Sequence, residues 1–74
     1  MNGIKDDKIL KKFGKHLAKC RKDKGLSLRK LADLSDVDFS QIHRIEKGIT
    51  NPSLTMLLSL AEGMEIPIEE LIRF

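Results

Sequence analysis

Apolar residues recur at helical spacing in five short segments of the chain, and no segment shows the sustained alternation of a β-strand. The first segment covers about residues 7–24 and carries one apolar stripe, formed by Ile9 or Leu10, Phe13, Leu17 and Cys20. Asp6 and Asp7 suit the start of a helix, and Gly25 is a natural stop. The pattern therefore predicts a first helix of about five turns.

The second and third segments are short and lie close together. The second covers about residues 28–34 after the N-cap Ser27, and the third covers about residues 39–47 after the N-cap Asp38, with Gln41 completing a capping box. We expect inward apolar contacts from Leu28, Leu31, Ala32, Leu34, Ile42 and Ile45. The link of about four residues, 35–38, predicts a steep crossing of the two helices, as in a helix-turn-helix.

The last two segments follow the proline-containing stretches of the chain. The fourth covers about residues 54–62 after the N-cap Ser53, and its predicted buried side comprises Leu54, Leu57, Leu58 and Ala61. The fifth begins at Pro67, a favoured first helical residue, and extends to about residue 73. Five short helices with tight connections predict one compact all-α domain over residues 1–74.

Charge is distributed unevenly along the chain. Residues 1–30 hold eleven Lys/Arg and three Asp, a balance of +8, whereas residues 31–74 hold three Lys/Arg and eight Asp/Glu, a balance of −5. This asymmetry indicates either an anionic partner for one face or a lysine-rich helix that is merely solvated, and both interpretations stay open.

Several function classes find no support in the chain. There is no catalytic set and no phosphate-binding glycine loop, so we expect neither an enzyme nor a cofactor nor a small-molecule effector. His16 and Cys20 have the spacing of two zinc ligands, but no further ligand is evident, and we expect no metal. With a single cysteine, no signal region and no long apolar run, a cytoplasmic protein without membrane contact is expected.

A set of spaced residues resembles the Cro/phage-repressor (Xre-type) helix-turn-helix family: residues 26–32, Val37, Ile42, residues 44–48 and residues 51–53. Its first helix is matched by Gly14, Leu17 and Arg21, and its fourth by Leu57, Leu60 and Ala61. The resemblance covers roughly residues 9–72. It implies a five-helix phage-repressor-like DNA-binding domain whose helix-turn-helix lies at about residues 27–48.

The resemblance also implies DNA contacts by position. The base-reading candidates are Phe39, Ser40 and Arg44, bordered by Asp38 and His43. The phosphate candidates are Arg29, Lys47, Thr50, Asn51 and the backbone at Ser27 and Leu28, where the second helix begins. Arg44 is the best base reader because a guanidinium matches the O6/N7 edge of guanine. Phe39 would pack on a thymine methyl group, or instead act as a hydrophobic staple or a protein contact.

Two further positions carry a structural role in the family. Arg21 and Glu46 fall where the family pairs an arginine of the first helix with the glutamate that closes the third. A bidentate ion pair there would lock the recognition helix to its support.

Three positions depart from the family pattern. Leu28 stands where many relatives have a glutamine that contacts the DNA backbone, which puts this contact in question. Asp36 and Glu65 stand where the family often has glycine. Asp tolerates the left-handed conformation well, so we expect the turn to survive. Residues 31–48 also carry four acids and two bases, so DNA affinity must depend on flanking contacts and on a dimer partner.

The expected function is that of a small stand-alone transcriptional regulator, which binds double-stranded DNA sequence-specifically as a homodimer on a palindromic operator. The C-terminal helix, about residues 67–73, is the expected interface through Ile66, Ile68, Leu71, Ile72 and Phe74. Two alternatives stay open. One is an antitoxin that binds a toxin protein and represses its own operon, and the other is a protein-interaction module that kept the fold without DNA binding.

Overall fold

The structure is a computed structural model that describes residues 6–74, so the first five residues of the predicted domain lie outside the described part. Residues 6–74 form five helices and no strand: α1 (Asp7–Asp23), α2 (Leu28–Ser35), α3 (Phe39–Glu46), α4 (Leu54–Met64) and α5 (Ile68–Leu71). The all-α prediction is confirmed. None of these helices is both long enough and apolar enough to span a membrane.

Side-chain caps begin three of the helices. The carboxylate of Asp6 accepts from the first N–H groups of α1, and the hydroxyls of Ser27 and Ser53 do the same for α2 and α4. The capping box predicted for α3 is wrong, because Asp38 occupies the N-cap position without a side-chain cap. Its carboxylate instead accepts a hydrogen bond from the hydroxyl of Ser40.

Two helices end on non-glycine residues in the left-handed conformation. Asp36 closes α2 at φ 59° and Glu65 closes α4 at φ 57°. The N–H of Asp36 bonds to the carbonyl of Ala32 at 2.9 Å, which satisfies one of the last carbonyls of α2. The turn therefore forms without the glycine that the family often has there.

One core receives a side chain from every helix. Its fully buried members are Leu17, Leu31, Ile42, Ile45, Leu60, Met64 and Leu71. Leu34, Leu54 and Leu58 were predicted to be buried and are exposed, with Leu54 at 68%. In α4 the helix continues to Met64 and turns Leu60, Ala61 and Met64 inward, which leaves Leu54 and Leu58 on the outer face. In α2 the inward pair is Leu31 and Ser35, so Leu34 faces solvent.

Two glycines allow the helices to approach closely. A Cβ on Gly14 in α1 would lie 2.5 Å from the carbonyl oxygens of Ile45 and Glu46 in α3. A Cβ on Gly63 in α4 would lie 2.9 Å from the Cβ of Ser35 in α2. The helix-turn-helix pair is thus held from behind by α1 on one side and α4 on the other.

Much of the C-terminal segment belongs to this core. Leu71 is fully buried, Ile66 is buried and Ile68 is half-buried, so the predicted exposed surface of five apolar residues is wrong for Ile66 and Leu71. Ile72 and Phe74 remain 49% and 47% exposed, and the Phe74 ring packs edge-on against Phe13 at 5.4 Å between centroids.

Candidate nucleic-acid interface

A buried ion pair fixes the C-terminal end of α3. Arg21 Nε donates to Glu46 Oε2 at 2.7 Å and Nη2 donates to Oε1 at 3.1 Å, so the pair is bidentate. Arg21 Nη1 donates to the carbonyl of Leu26 at 2.8 Å, just before α2. Both charged side chains are only 10% exposed. The ion pair expected from the sequence is present, and it ties α1, α3 and the start of α2 into one unit.

The two faces of α3 differ sharply in environment. Ile42 and Ile45 are buried on the inner face. The outer face exposes Phe39, Ser40, His43, Arg44 and, just past the helix, Lys47. Within residues 6–74, Arg44 has no carboxylate at ion-pair distance, so its guanidinium is free to bind an external acceptor. The structure thus brings the base-reading candidates onto one accessible surface.

The first turn of α3 presents hydrogen-bond acceptors. The hydroxyl proton of Ser40 is directed to the carboxylate of Asp38, and both side chains are exposed. The remaining lone pairs of both groups can accept from a base amino group, such as N4 of cytosine. This end of the helix therefore complements the donor character of Arg44 at the other end.

Phe39 and Arg29 form a contact that joins α2 to α3. The guanidinium carbon of Arg29 lies 5.2 Å from the centroid of the Phe39 ring, within the range of a cation–π interaction. Phe39 is 39% exposed, so it does not act as a buried staple. The two residues are ten positions apart in different helices, and helical periodicity within one segment carries no signal for such a pair.

The N-terminus of α2 offers backbone donors. Ser27 accepts the N–H groups of Lys30 and Leu31, through Oγ at 3.0 Å and through its carbonyl at 3.0 Å. Within residues 6–74 the N–H groups of Leu28 and Arg29 have no acceptor, as expected for the first turn of a helix. The Leu28 side chain packs against the core. Leu28 therefore contributes its backbone amide to this surface. Its side chain does not replace the contact with the DNA backbone that the resemblance implies for a glutamine at this position.

The remaining phosphate candidates lie on or just after α3. Lys47 and Asn51 are exposed and Thr50 is half-exposed. Gly48 ends this helix at φ +75°, where a Cβ would lie 2.6 Å from Cγ of Lys11 in α1. The loop after α3 therefore lies directly on α1.

The outer face of α1 is a lysine stripe in which every member is exposed: Lys8, Lys11, Lys12, Lys15, Lys19 and Lys22. Lys19 Nζ donates a hydrogen bond to the carboxylate of Asp23 at 2.9 Å, and this bond raises the pKa of Lys19. Because Lys11 contacts the loop after α3, the stripe begins beside the phosphate candidates. The positively charged face of α1 thus adjoins the predicted DNA-facing surface.

His16 links α1 to α5 and lies beside Cys20 of its own helix. His16 Nε2 lies 2.9 Å from the carbonyl oxygen of Glu70 and 3.6 Å from Sγ of Cys20. Burial, and secondarily the nearby Glu70, raises the pKa of the Cys20 thiol. Among residues 6–74 no three His, Cys, Asp or Glu side chains are grouped as a metal site would require. The bond from His16 to the Glu70 carbonyl is therefore the interhelical contact of this pair.

A family model described as helix-turn-helix matches residues 17–71. The chain belongs to the Cro/phage-repressor (Xre-type) helix-turn-helix family. This family consists of DNA-binding transcriptional regulators, and the resemblance inferred from the sequence is confirmed.

Three relatives illustrate the match. The chain is 33% identical over 61 residues, 82% of its length, to the HTH-type transcriptional regulator DdrOP3 of Deinococcus deserti, of which it spans 47%. It superposes with a TM-score of 0.82 and 43% identity on the restriction-modification controller protein C.AhdI from Aeromonas hydrophila, covering 85% of this chain and 96% of that one. It superposes with a TM-score of 0.79 and 26% identity on the clp gene regulator ClgR from C. glutamicum, covering 86% and 83% respectively. The chain thus spans about half the length of the curated relative and nearly all of the first solved structure.

Proposed function

We propose that this chain binds double-stranded DNA sequence-specifically, as a non-enzymatic transcriptional regulator, and acts as a homodimer on a palindromic operator in the cytoplasm. The observation that carries the proposal is the contrast between the two faces of α3. Its inner face and C-terminal end are fixed by buried apolar contacts and by the Arg21–Glu46 pair, while its outer face is exposed and, apart from Phe39, polar. A rigid helix with an accessible outer row of polar side chains fits the major groove.

The proposed contacts divide into two kinds. Arg44 reads a guanine through its free guanidinium, and Asp38, Ser40 and His43 contact neighbouring base edges. The phosphate contacts come from the free amides of α2, the side chains of Arg29 and Lys47, and the loop at Thr50 and Asn51. Such contacts fix the register of the protein on DNA but carry no sequence information.

The dimer contact needs a different residue set from the one that the sequence suggested. Ile66 and Leu71 are used in the core, so the proposed interface uses the exposed apolar residues of the α4–α5 side: Leu54, Leu58, Ile72 and Phe74, with Ile68 at its edge. One helix reads only a few base pairs, and two-fold pairing places two recognition helices about 34 Å apart, one turn of DNA.

Binding-site selection from random duplex DNA tests the proposed DNA binding. We expect a palindromic site whose affinity falls steeply with salt, because phosphate contacts release counterions. Arg44→Ala should weaken binding and relax preference at one base pair in each half-site. Arg73→Ala removes an exposed arginine beyond α5 and is the matched control. If selection enriches no sequence, or if the Arg44 and Arg73 variants behave alike, the proposal is wrong.

Sedimentation equilibrium tests the proposed dimer. We expect a reversible dimer at micromolar concentrations, which Ile72→Asp should shift to monomer together with a loss of operator affinity. Leu34→Asp places the same charge on an exposed leucine at the end of α2 and should leave the dimer intact. A wild-type chain that stays monomeric at high micromolar concentration contradicts the dimer.

Among regulators, a restriction–modification controller is the role that one relative favours. The solved controller from Aeromonas hydrophila shares 43% identity over 85% of this chain. We infer that the selected site lies upstream of genes of a restriction–modification system. Footprinting the protein on DNA upstream of its own gene and of the neighbouring genes tests this role, and a site found only elsewhere contradicts it.

A further inference from the structure

We propose that Phe39 and Arg29 form a site for the C5-methyl group of a pyrimidine in the major groove. The inference rests on the proposed DNA binding and adds the chemical group that this part of the surface reads. It starts from the side chain of Phe39, which cannot hydrogen-bond to a base. The ring is nevertheless 39% exposed at the first residue of α3, on the same face as Ser40, His43 and Arg44.

The chemistry of the groove limits what this ring can contact. Base edges in the major groove present hydrogen-bond donors, hydrogen-bond acceptors and a single apolar group, the C5-methyl of thymine. A 5-methylcytosine presents the same methyl group at the same place. An exposed phenyl ring that enters the groove loses water without compensation beside a polar edge, and gains apolar contact only beside this methyl.

Arg29 holds the ring in place for such a contact. Its guanidinium lies over the ring at 5.2 Å, although Asp33 stands four residues further along the same helix as a possible ion-pair partner. Within residues 6–74, Arg29 and Asp33 are not within ion-pair distance. In the described part of the chain, the Arg29 guanidinium has no carboxylate partner, and the amides of Leu28 and Arg29 at the start of the same helix have no acceptor. One phosphate can therefore bind Arg29 and these amides while the ring beneath faces the adjacent base.

The test uses the operator found by binding-site selection. One chemical group of this DNA is changed at a time. Each thymine of one half-site is replaced in turn by deoxyuridine, which keeps base pairing and removes only the methyl. For the wild-type chain we expect one thymine per half-site at which the change weakens binding about fourfold, the effect of one buried methyl-sized group, and about fifteenfold when both half-sites are changed.

Two variants assign the effect to the proposed site. Phe39→Ala should bind thymine and uracil duplexes equally at that position, and Leu34→Ala, an exposed apolar residue elsewhere on α2, should keep the wild-type ratio. Arg29→Ala should lower affinity and also reduce the ratio, because the ring loses its support. Phe39, Leu34 and Arg29 are all exposed, so thermal unfolding should show that each variant is folded.

A second comparison of DNA duplexes shows which base can carry the methyl group. At the sensitive position, cytosine and 5-methylcytosine are compared opposite guanine. Tighter binding to 5-methylcytosine shows that the site reads the methyl on either base, and equal binding restricts it to thymine. If wild-type binding is sequence-selective but no uracil substitution weakens it by more than about 1.5-fold, or if Phe39→Ala keeps the wild-type ratio, the inference is overturned while the proposed function stands. If selection enriches no site, the proposed function itself has failed.

Discussion

The bidentate pair between Arg21 and Glu46 is the interaction whose removal should disturb this domain most. Glu46→Ala would leave a guanidinium that belongs to a residue only 8% exposed, with the Leu26 carbonyl as its remaining partner. Removing one member of a buried ion pair costs about 3–5 kcal/mol. At 0.05–0.15 kcal/mol per residue, a chain of 74 residues has about 4–11 kcal/mol of total stability. The single variant is therefore expected to lose between about a quarter and all of the stability of the domain.

Urea and thermal unfolding followed by far-UV circular dichroism measure this loss. A loss of 3 kcal/mol should lower Tm by about 12–24 °C in a domain of this size. Glu62→Ala removes an exposed glutamate of α4 and is the control. The double variant Arg21→Met, Glu46→Met replaces both charges with apolar side chains and should recover most of the stability. A loss below about 1 kcal/mol for Glu46→Ala, the size of a surface ion pair, would refute the reasoning.

Three further predictions follow from close contacts, backbone conformation and burial. Gly14→Ala should destabilise the domain by about 2–3 kcal/mol despite its better helix propensity, because the new Cβ meets backbone oxygens at 2.5 Å. Gly25→Ala, at φ +70° in open space, should cost only about 1 kcal/mol in the same urea experiment, and an equal loss at both sites would contradict the clash. Glu65→Gly should raise stability by about 1 kcal/mol, because glycine adopts φ 57° without strain; a lower urea midpoint would show that the Glu65 side chain contributes more than the strain costs. The Cys20 thiol should react slowly with a chromogenic disulfide in the native protein and promptly in urea, because it is buried and its pKa is raised; immediate native reaction would disprove its burial.

The positions of the helices and the ion pair that holds α3 in place could be predicted from the sequence. Apolar spacing and the capping serines located α1, α2 and α4, since these signals are local. The Arg21–Glu46 pair was found through the family pattern, because no local rule joins residues 25 positions apart. The survival of the turn at Asp36 followed from the known tolerance of aspartate for the left-handed conformation.

The buried side of α4 could not be predicted from spacing. Its sequence is apolar on several faces, so several helical phases fit equally well. Contacts made elsewhere choose between them, namely the close approach of Gly63 to Ser35 and the burial of Met64 beyond the predicted end. Leu54 and Leu58 are left outside by that choice.

The exposure and the contacts of the surface residues could not be predicted from the sequence either. The exposure of the C-terminal segment depends on how a single turn of helix packs against α1 and α4, which apolar content alone does not reveal. The contact between Arg29 and Phe39 depends on the crossing of α2 and α3, and the bond between Ser40 and Asp38 replaces a cap that the sequence pattern favours.

The separation of the two faces of α3 has an evolutionary consequence. Folding depends on Ile42, Ile45 and Glu46, whereas the proposed DNA contacts use exposed positions that make few contacts within the domain. Surface substitutions usually change stability by no more than about 0.5 kcal/mol. The exposed residues on the outer face of α3 can therefore mutate with little loss of stability under selection for a new operator. The buried residues on its inner face keep the fold unchanged. A domain built in this way can acquire new target sites one side chain at a time, without passing through unstable intermediates.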